Sequence, residues 1–294
     1  MPANIIDGKR IAAEIREQVK KEVEELKSRG IVPGLATLLV GDNPASQIYL
    51  KGKHKACAEV GIESSNHILP KDSDTPSVIK KVQELNSNPK VHGVLVQLPL
   101  PPQVDGGAVM SALNPGKDAD GFHFENLGRL LSAKDMKEIT ESKNPIPIPC
   151  TPQGVIVLIE KTGVPIRGKN AVVVGRSMIE GKPAAILLLA SHATVSVAHS
   201  QTKNLVEYCR QADILIAAIG KSKMITSEMI KKGAIVIDVG INRDPDGTIS
   251  GDVDFESAKE KAGWITPVPG GVAPMTIAML LKNTLLLAKN TLKR

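Results

Sequence analysis

Apolar residues recur along this chain at two periods. Ile11, Ile15, Val19, Val23 and Leu26 are spaced by three or four, which predicts an amphipathic helix over Gly8–Arg29 that stops at Gly30. Elsewhere the apolar residues form short continuous runs. Leu35–Val40, His67–Pro70 and the run that opens at Val91 read as strands of a first half. Ala171–Val174, Thr194–Ala198, Asp213–Gly220 and Ala234–Gly240 read as strands of a second. Unbroken apolarity suits strands covered on both faces, as in a parallel sheet. Helical segments lie between the strands: from Ser46 as N-cap to Gly61, from Thr75-Pro76 onward, over Gln153–Lys161 behind Thr151-Pro152, over Ala184–Leu189, and from Thr276 to about Leu292. The alternation predicts βαβ units. Residues 131–149 are polar and then Pro-rich (Asn144 to Pro149) and read as a linker.

Length and composition narrow this picture. At 294 residues the chain suggests two domains. The apolar share is 42% but aromatics supply only 2%, so the core is aliphatic, and a stacking platform for single-stranded nucleic acid is not expected. A formal net charge of +6, spread among acids on helices, is a solvated surface that also attracts an anionic ligand. Cys57, Cys150 and Cys209 are far apart and form no CxxC or zinc pattern, so buried thiols in a reducing compartment and no metal are expected. The N-terminus lacks the basic and apolar regions of a signal peptide, and no run nears about 18 apolar residues. These features point to the cytoplasm and to no membrane partner.

Three places in the first half carry candidate chemistry. Tyr49 and Lys53 are four apart on a helix that follows a strand, and ligands of parallel α/β sheets gather beyond the carboxyl ends of strands. There a Tyr can stack on a planar heterocycle and a Lys can exchange protons with it. Spacing alone favours the plainer alternative of an anchoring Tyr and a solvated Lys. Gln97 ends a strand, either as a satisfied loop residue or as a partner for an ammonium. Asp118 and Asp120 resemble part of a calcium loop, but no further acid stands at the next ligand positions. A structural turn, or a carboxylate pairing with the amino groups of a heterocycle, remains open.

In the second half, strand Ala171–Val174 runs into Gly175, Arg176 and Ser177, then Gly181 and a helix. Such a turn offers free backbone N–H groups and the positive end of a helix dipole to a phosphate. It is not the GxGxxG fingerprint. The next strand ends in Ser200, Thr202 and Lys203 with no Asp or Glu, which suits a 2′-phosphate, so NADP is favoured over NAD.

Taken together, Tyr49 with Lys53, Val96-Gln97-Leu98-Pro99-Leu100, Lys117 to Phe122, Val174 to Ser177, Gly181-Lys182-Pro183 and Pro267 to Val272 resemble the bifunctional methylenetetrahydrofolate dehydrogenase/methenyltetrahydrofolate cyclohydrolase family. The likeness runs nearly end to end. It implies two α/β domains flanking a cleft, with residues 1–146 plus 274–294 binding folate and 147–273 forming a Rossmann-like NADP-binding domain. It implies oxidation of 5,10-methylenetetrahydrofolate by NADP⁺, then hydrolysis of the methenyl product to 10-formyltetrahydrofolate. Lys53 matches the family's catalytic lysine, Gln97 the residue that bonds and tunes it, Tyr49 the stacking aromatic and Asp120 the pterin-holding carboxylate. Arg176 and Ser200 match contacts to the 2′-phosphate. Gly175, Ser177, Ile241, Pro269, Gly270, Gly271 and Val272 match the cofactor and folate walls. Tetrahydrofolate derivatives are the implied ligands and a homodimer the implied assembly. A Lys that exchanges protons near neutrality needs its pKa lowered from about 10.4, by burial or by an adjacent cation such as the substrate.

The chain departs from the family pattern at three positions. Ala119 replaces a common Val. Glu180 stands in the phosphate turn where an apolar residue is usual, and is expected to point to solvent because it would otherwise repel a pyrophosphate. Ala273 replaces a common Gly, and its methyl is a strain if φ there is positive. A dehydrogenase of another small substrate and a binding protein without catalysis are the competing readings, both disfavoured by the retained Lys53, Gln97 and Asp120.

Overall fold

The computed structural model describes residues 2–143 and 145–293. Asn144 in the expected linker, with Met1 and Arg294, lies outside them. In chain order the elements are β1 (Asn4–Ile5), α1 (Gly8–Ser28), β2 (Gly34–Val40), α2 (Pro44–Val60), β3 (Glu63–Leu69), α3 (Thr75–Ser87), β4 (Gly93–Val96), α4 (Gly106–Ala112), α5 (Phe124–Ser132), α6 (Met136–Thr140) and α7 (Cys150–Glu160). There follow β5 (Asn170–Val174), α8 (Gly181–Ala190), β6 (Thr194–Ala198), α9 (Leu205–Arg210), β7 (Ile214–Ala217), β8 (Ile235–Asp238), β9 (Asn242–Arg243), β10 (Ile249–Ser250), α10 (Phe255–Ala258), β11 (Trp264–Ile265) and α11 (Val272–Asn290).

The chain forms two compact units. One holds Met1–Ala13, Ala133–Thr140 and Pro149–Met279; the other holds Glu14–Ser132, Glu141–Ile148 and Leu280–Arg294. The second unit contains a parallel sheet of order β3-β2-β4. Every residue of β2 is buried, because β2 is the central strand, while β3 (Glu-Ser-Ser-Asn-His-Ile-Leu) is a polar edge. Leu38, Val40, Val94 and Val96 pack with Val78, Val82 and Leu85 of α3.

The first unit contains a six-stranded, all-parallel sheet of order β1-β11-β8-β7-β5-β6. Successive strands are added on one side of β5 as β6 and on the other as β7, β8 and β11. The strand order therefore reverses at β5, and a ligand crevice is expected beyond its carboxyl end.

Several expected boundaries shift. α2 is capped by Asn43, whose Oδ1 accepts from the Ser46 N–H at 3.1 Å, with Pro44 in the first turn; Ser46 lies inside the helix. α7 begins at Cys150 rather than behind Thr151-Pro152, and α11 begins at Val272 rather than Thr276, because a proline in the first turn needs no hydrogen-bonded N–H. The expected linker is largely structured: α5 ends in it, α6 lies in it, and Ile146 and Ile148 are buried. Asn283 anchors it by donating from Nδ2 to the Ala119 and Ile148 carbonyls at 2.9 and 2.8 Å. By length and composition α11 is apolar enough to cross a bilayer (mean hydropathy 1.3), yet 61% of its residues are buried inside the protein.

Candidate active site

The chemistry of the unit built on β2 is set by where α2 starts. β2 ends at Val40, Gly41 turns the chain at φ +92°, and the Asn43 cap launches α2 directly. The first two turns of α2 thus follow the carboxyl end of the central strand. The second and third turns carry Tyr49, 48% exposed, and Lys53, half-buried, on one face. Gln97 follows β4, the next strand of the sheet, and its N–H donates to Leu38 O at 2.8 Å. Gln97 Nε2 donates to Leu98 O at 2.7 Å, which turns Oε1 toward Lys53; Lys53 Nζ donates to it at 3.1 Å. The structure thus brings Lys53 and Gln97 together and leaves the Tyr49 ring accessible.

The neighbours of Lys53 do not compete for its charge. Burial lowers the pKa of His54, and the Lys53 ammonium adds to that. The ring instead pairs with Thr37 Oγ1 at 3.0 Å and Ser64 Oγ at 2.8 Å. Burial pushes the Cys57 thiol up to about 12 against the opposing pull of Lys53. Both stay neutral near pH 7.

Asp120 is placed by Asp118, whose segment takes the structural-turn reading rather than that of a calcium loop. Asp118 forms a parallel bridge to Val94 of β4, and the Ala119 N–H donates to Val94 O at 3.1 Å. Asp120 therefore leaves the sheet level with Val96, next to the strand end that carries Gln97. Asp118 is fully buried and accepts from the Gly121 N–H (3.0 Å), the His123 N–H (2.8 Å) and Asn126 Nδ2 (2.9 Å). Burial raises its carboxyl pKa while these hydrogen bonds pull it back. Its role is to hold the turn, which at Gly121 needs φ +77°. Ala119 is buried, and a Cβ on Gly93 would meet its methyl at 3.1 Å, so little room exists for a larger residue.

In the other unit, the turn after β5 is closed by three contacts. Gly175 has φ +135°, and a Cβ there would lie 2.1 Å from Ala218 O, beyond the end of β7. A Cβ on Gly181 would lie 2.3 Å from Gly175 O. Ser177 Oγ accepts from the Glu180 and Gly181 N–H groups at 3.1 and 3.3 Å, which leaves its own O–H to donate elsewhere. Among the described residues, the N–H groups of Arg176, Ser177, Met178 and Ile179 have no hydrogen-bond acceptor. A run of free amides at the start of a ten-residue helix fits the pyrophosphate of a dinucleotide. Val174 is level with Ala198 across β5 and β6, so Arg176 and Ser200, both exposed, leave the sheet side by side. Thr202 Oγ1 accepts from the His199 N–H at 2.9 Å and holds the Ser200 loop. Ile241, 47% exposed, follows β8.

The loop Pro267–Val272 is pinned within the same unit. The Lys9 N–H donates to Gly270 O at 3.1 Å, and a Cβ on Gly8 would lie 1.8 Å from Gly271 O. Pro269 is exposed, whereas Gly270, Gly271 and Val272 are buried. Ala273 is exposed in the first turn of α11 and has no positive φ, so the anticipated backbone strain is absent.

Glu180 does not point to solvent as expected. It is half-buried, with no hydrogen bond or ion pair to its carboxylate among the described residues. Burial raises its pKa, and the nearby Asp252 carboxylate raises it further. Asp252 belongs to a buried pair that no period or motif in the sequence flagged. It accepts from the N–H groups of Ile219 (2.5 Å), Gly220 (2.9 Å) and Lys221 (2.9 Å) and from Asn242 Nδ2 (2.9 Å). Asp238 at the end of β8 accepts from the N–H groups of Gly240, Asp252 and Val253, each at 2.9 Å. Burial pushes Asp238 up to about 6 despite those bonds. The pair ties the ends of β7 and β8 to the segment after β10.

Among the described residues no group of three or more His, Cys, Asp or Glu could hold a metal ion. Residues 6–120 match the catalytic domain, and residues 149–292 the NAD(P)-binding domain, of the tetrahydrofolate dehydrogenase/cyclohydrolase family. The chain is 57% identical to the bifunctional protein FolD of Moorella thermoacetica over 97% of this chain and 98% of that one. It is similar to the crystal structure of the bifunctional methylenetetrahydrofolate dehydrogenase/cyclohydrolase of Campylobacter jejuni, with a TM-score of 0.93 and 47% identity over 98% of this chain and 99% of that one. The enzyme of Trypanosoma brucei, solved with NADP and an inhibitor, matches over the full length of both chains with a TM-score of 0.93 and 39% identity.

Proposed function

The chain belongs to the tetrahydrofolate dehydrogenase/cyclohydrolase family, and on that premise we propose how its own residues divide the two reactions. It oxidises 5,10-methylenetetrahydrofolate with NADP⁺ and hydrolyses the methenyl product to 10-formyltetrahydrofolate. When bound, NADP⁺ supplies the hydride acceptor.

Lys53 handles protons in the hydrolysis. Water adds to the methenyl carbon and gives one proton to the Lys53 amine; N5 is then protonated, its bond to that carbon breaks, and the hydroxyl on the carbon loses its proton to leave the formyl C=O. One proton is released overall. The Lys53–Gln97 hydrogen bond is the observation that carries this reading. Gln97 has one side-chain donor committed to Leu98 O, so it presents an acceptor oxygen that holds the ammonium in one place. Tyr49 offers its exposed ring to the folate, and Asp120 accepts from the amino groups of the pterin. These four side chains belong to one compact unit.

The dinucleotide is held by the other unit. The free amides from Arg176 to Ile179 and the Ser177 O–H suit the pyrophosphate, and Arg176 with Ser200 suits the 2′-phosphate. Ile241 and Pro269 supply apolar wall. The functional boundaries assigned here are 146/147 and 273/274.

A homodimer is proposed from β6. It is the edge of the six-stranded sheet, and Val197 on it, Leu189 on α8 and Tyr208 on α9 are 42%, 61% and 46% exposed. The three free, buried cysteines support a reducing cytoplasm, the buried α11 supports a core helix rather than a membrane span, and the 2% aromatic content supports a life without single-stranded nucleic-acid partners.

Absorbance of the methenyl compound, followed with the purified protein, tests the activity. The signal is expected to rise on adding NADP⁺ to the methylene substrate, and added methenyltetrahydrofolate is expected to disappear faster than without protein. Failure of the second result removes the hydrolytic half.

A further inference from the structure

Glu180 is an acid in the one turn that must admit a pyrophosphate. Its backbone cannot swing away: the N–H is held by Ser177 Oγ at 3.1 Å, and the next residue, Gly181, has no room for a Cβ against Gly175 O. Its side chain is half-buried, and no described donor reaches its carboxylate. The charge acting on it from the segment after β10 is Asp252, whose oxygens are already occupied by three loop amides and Asn242. The nearby cations give no relief. Arg176 is exposed on the turn, and Lys182 on α8 reaches Met178 Sδ at 3.5 Å instead. Burial and Asp252 together hold the free carboxyl above its ordinary range.

We infer that Glu180 makes cofactor affinity depend on pH: the dinucleotide binds the chain with a neutral Glu180 in preference to the chain with an ionised one. This rests on the assignment of the turn to NADP. The phosphates add negative charge at a turn whose half-buried carboxyl already feels the Asp252 charge, so binding raises the proton affinity of Glu180. Binding takes up a proton over the interval between the free and bound titrations, and affinity falls as pH rises through it.

Isothermal titration of NADP⁺ into the full-length protein, in buffers of different ionisation heat, measures affinity and proton uptake together. Wild type and Glu180→Gln are expected to converge in affinity as pH is lowered. Near pH 8 the variant is expected to bind about tenfold tighter, the equivalent of about one unit of pKa. Wild type takes up more protons than the variant in between; the 2′-phosphate, which also titrates near about 6, contributes to both and cancels. Glu180→Val removes the same charge and gives the same test if the Gln variant does not fold. Parallel pH profiles, or weaker binding by the neutral variants, overturn the inference. Absence of NADP⁺ binding by wild type at every pH overturns the cofactor assignment on which it rests.

Discussion

Individual side chains in this protein act through the hydrogen bonds that fix them. Gln97 shows this: its amide is committed to Leu98 O, and only then does its oxygen serve Lys53. Arg176 is the charged contact proposed for the 2′-phosphate, and Arg176→Ala is expected to raise KM for NADP⁺ by about 10- to 100-fold, the range of a hydrogen bond to a charged group, with little change for NAD⁺. Equal losses for both cofactors in steady-state assays would show that Arg176 does not read the 2′-phosphate. Asp238 gives a pH prediction. Its pKa is raised from 3.8 to about 6, so the stability it contributes is complete below its ordinary value and is lost as pH rises through about 6. A carboxyl carbon resonance of Asp238 titrating near its ordinary value would contradict the burial argument. Lys53 and Gln97 could be singled out in the sequence because they sit at motif positions, and the structure adds the hydrogen bond between them. Asp238 and Asp252 were not, since their partners are mostly backbone amides distant in the chain, whereas Asp118 holds the structural turn that was one of its two readings. Glu180 was expected in solvent and is half-buried, a difference that only the folded turn reveals.

At the scale of elements, strands and long helices followed from apolar spacing, whereas helix starts did not. Ser46 read as the cap of α2 whereas Asn43 is, because both are good capping residues and only the geometry decides between them. Asn43→Ala is expected to cost about 1 kcal/mol, the usual value of an N-cap, and to raise KM for folate substrates by loosening the start of the helix that carries Tyr49 and Lys53. Denaturant unfolding and steady-state kinetics check it; unchanged stability would mean that another residue caps α2. β1 and β11 were invisible because two-residue strands show no period. The Pro-rich stretch misled in the opposite sense: its isoleucines are core residues, held by Asn283.

For the whole molecule, the edge position of β6 makes the assembly testable. Val197→Lys places a charge on the exposed edge and is expected to convert a dimer to a monomer in sedimentation velocity. A dimer that survives the substitution would move the interface elsewhere. The account as a whole rests on a division of labour, with Lys53 serving hydrolysis and the turn after β5 serving the dinucleotide. Lys53→Met separates them. With the purified variant, methenyltetrahydrofolate absorbance is expected to decay at least about 100-fold more slowly than with wild type, the lower range for a general acid–base group. Methenyl formation from the methylene substrate and NADP⁺ is expected to persist. Hydrolysis by Lys53→Met at the wild-type rate would contradict the assignment.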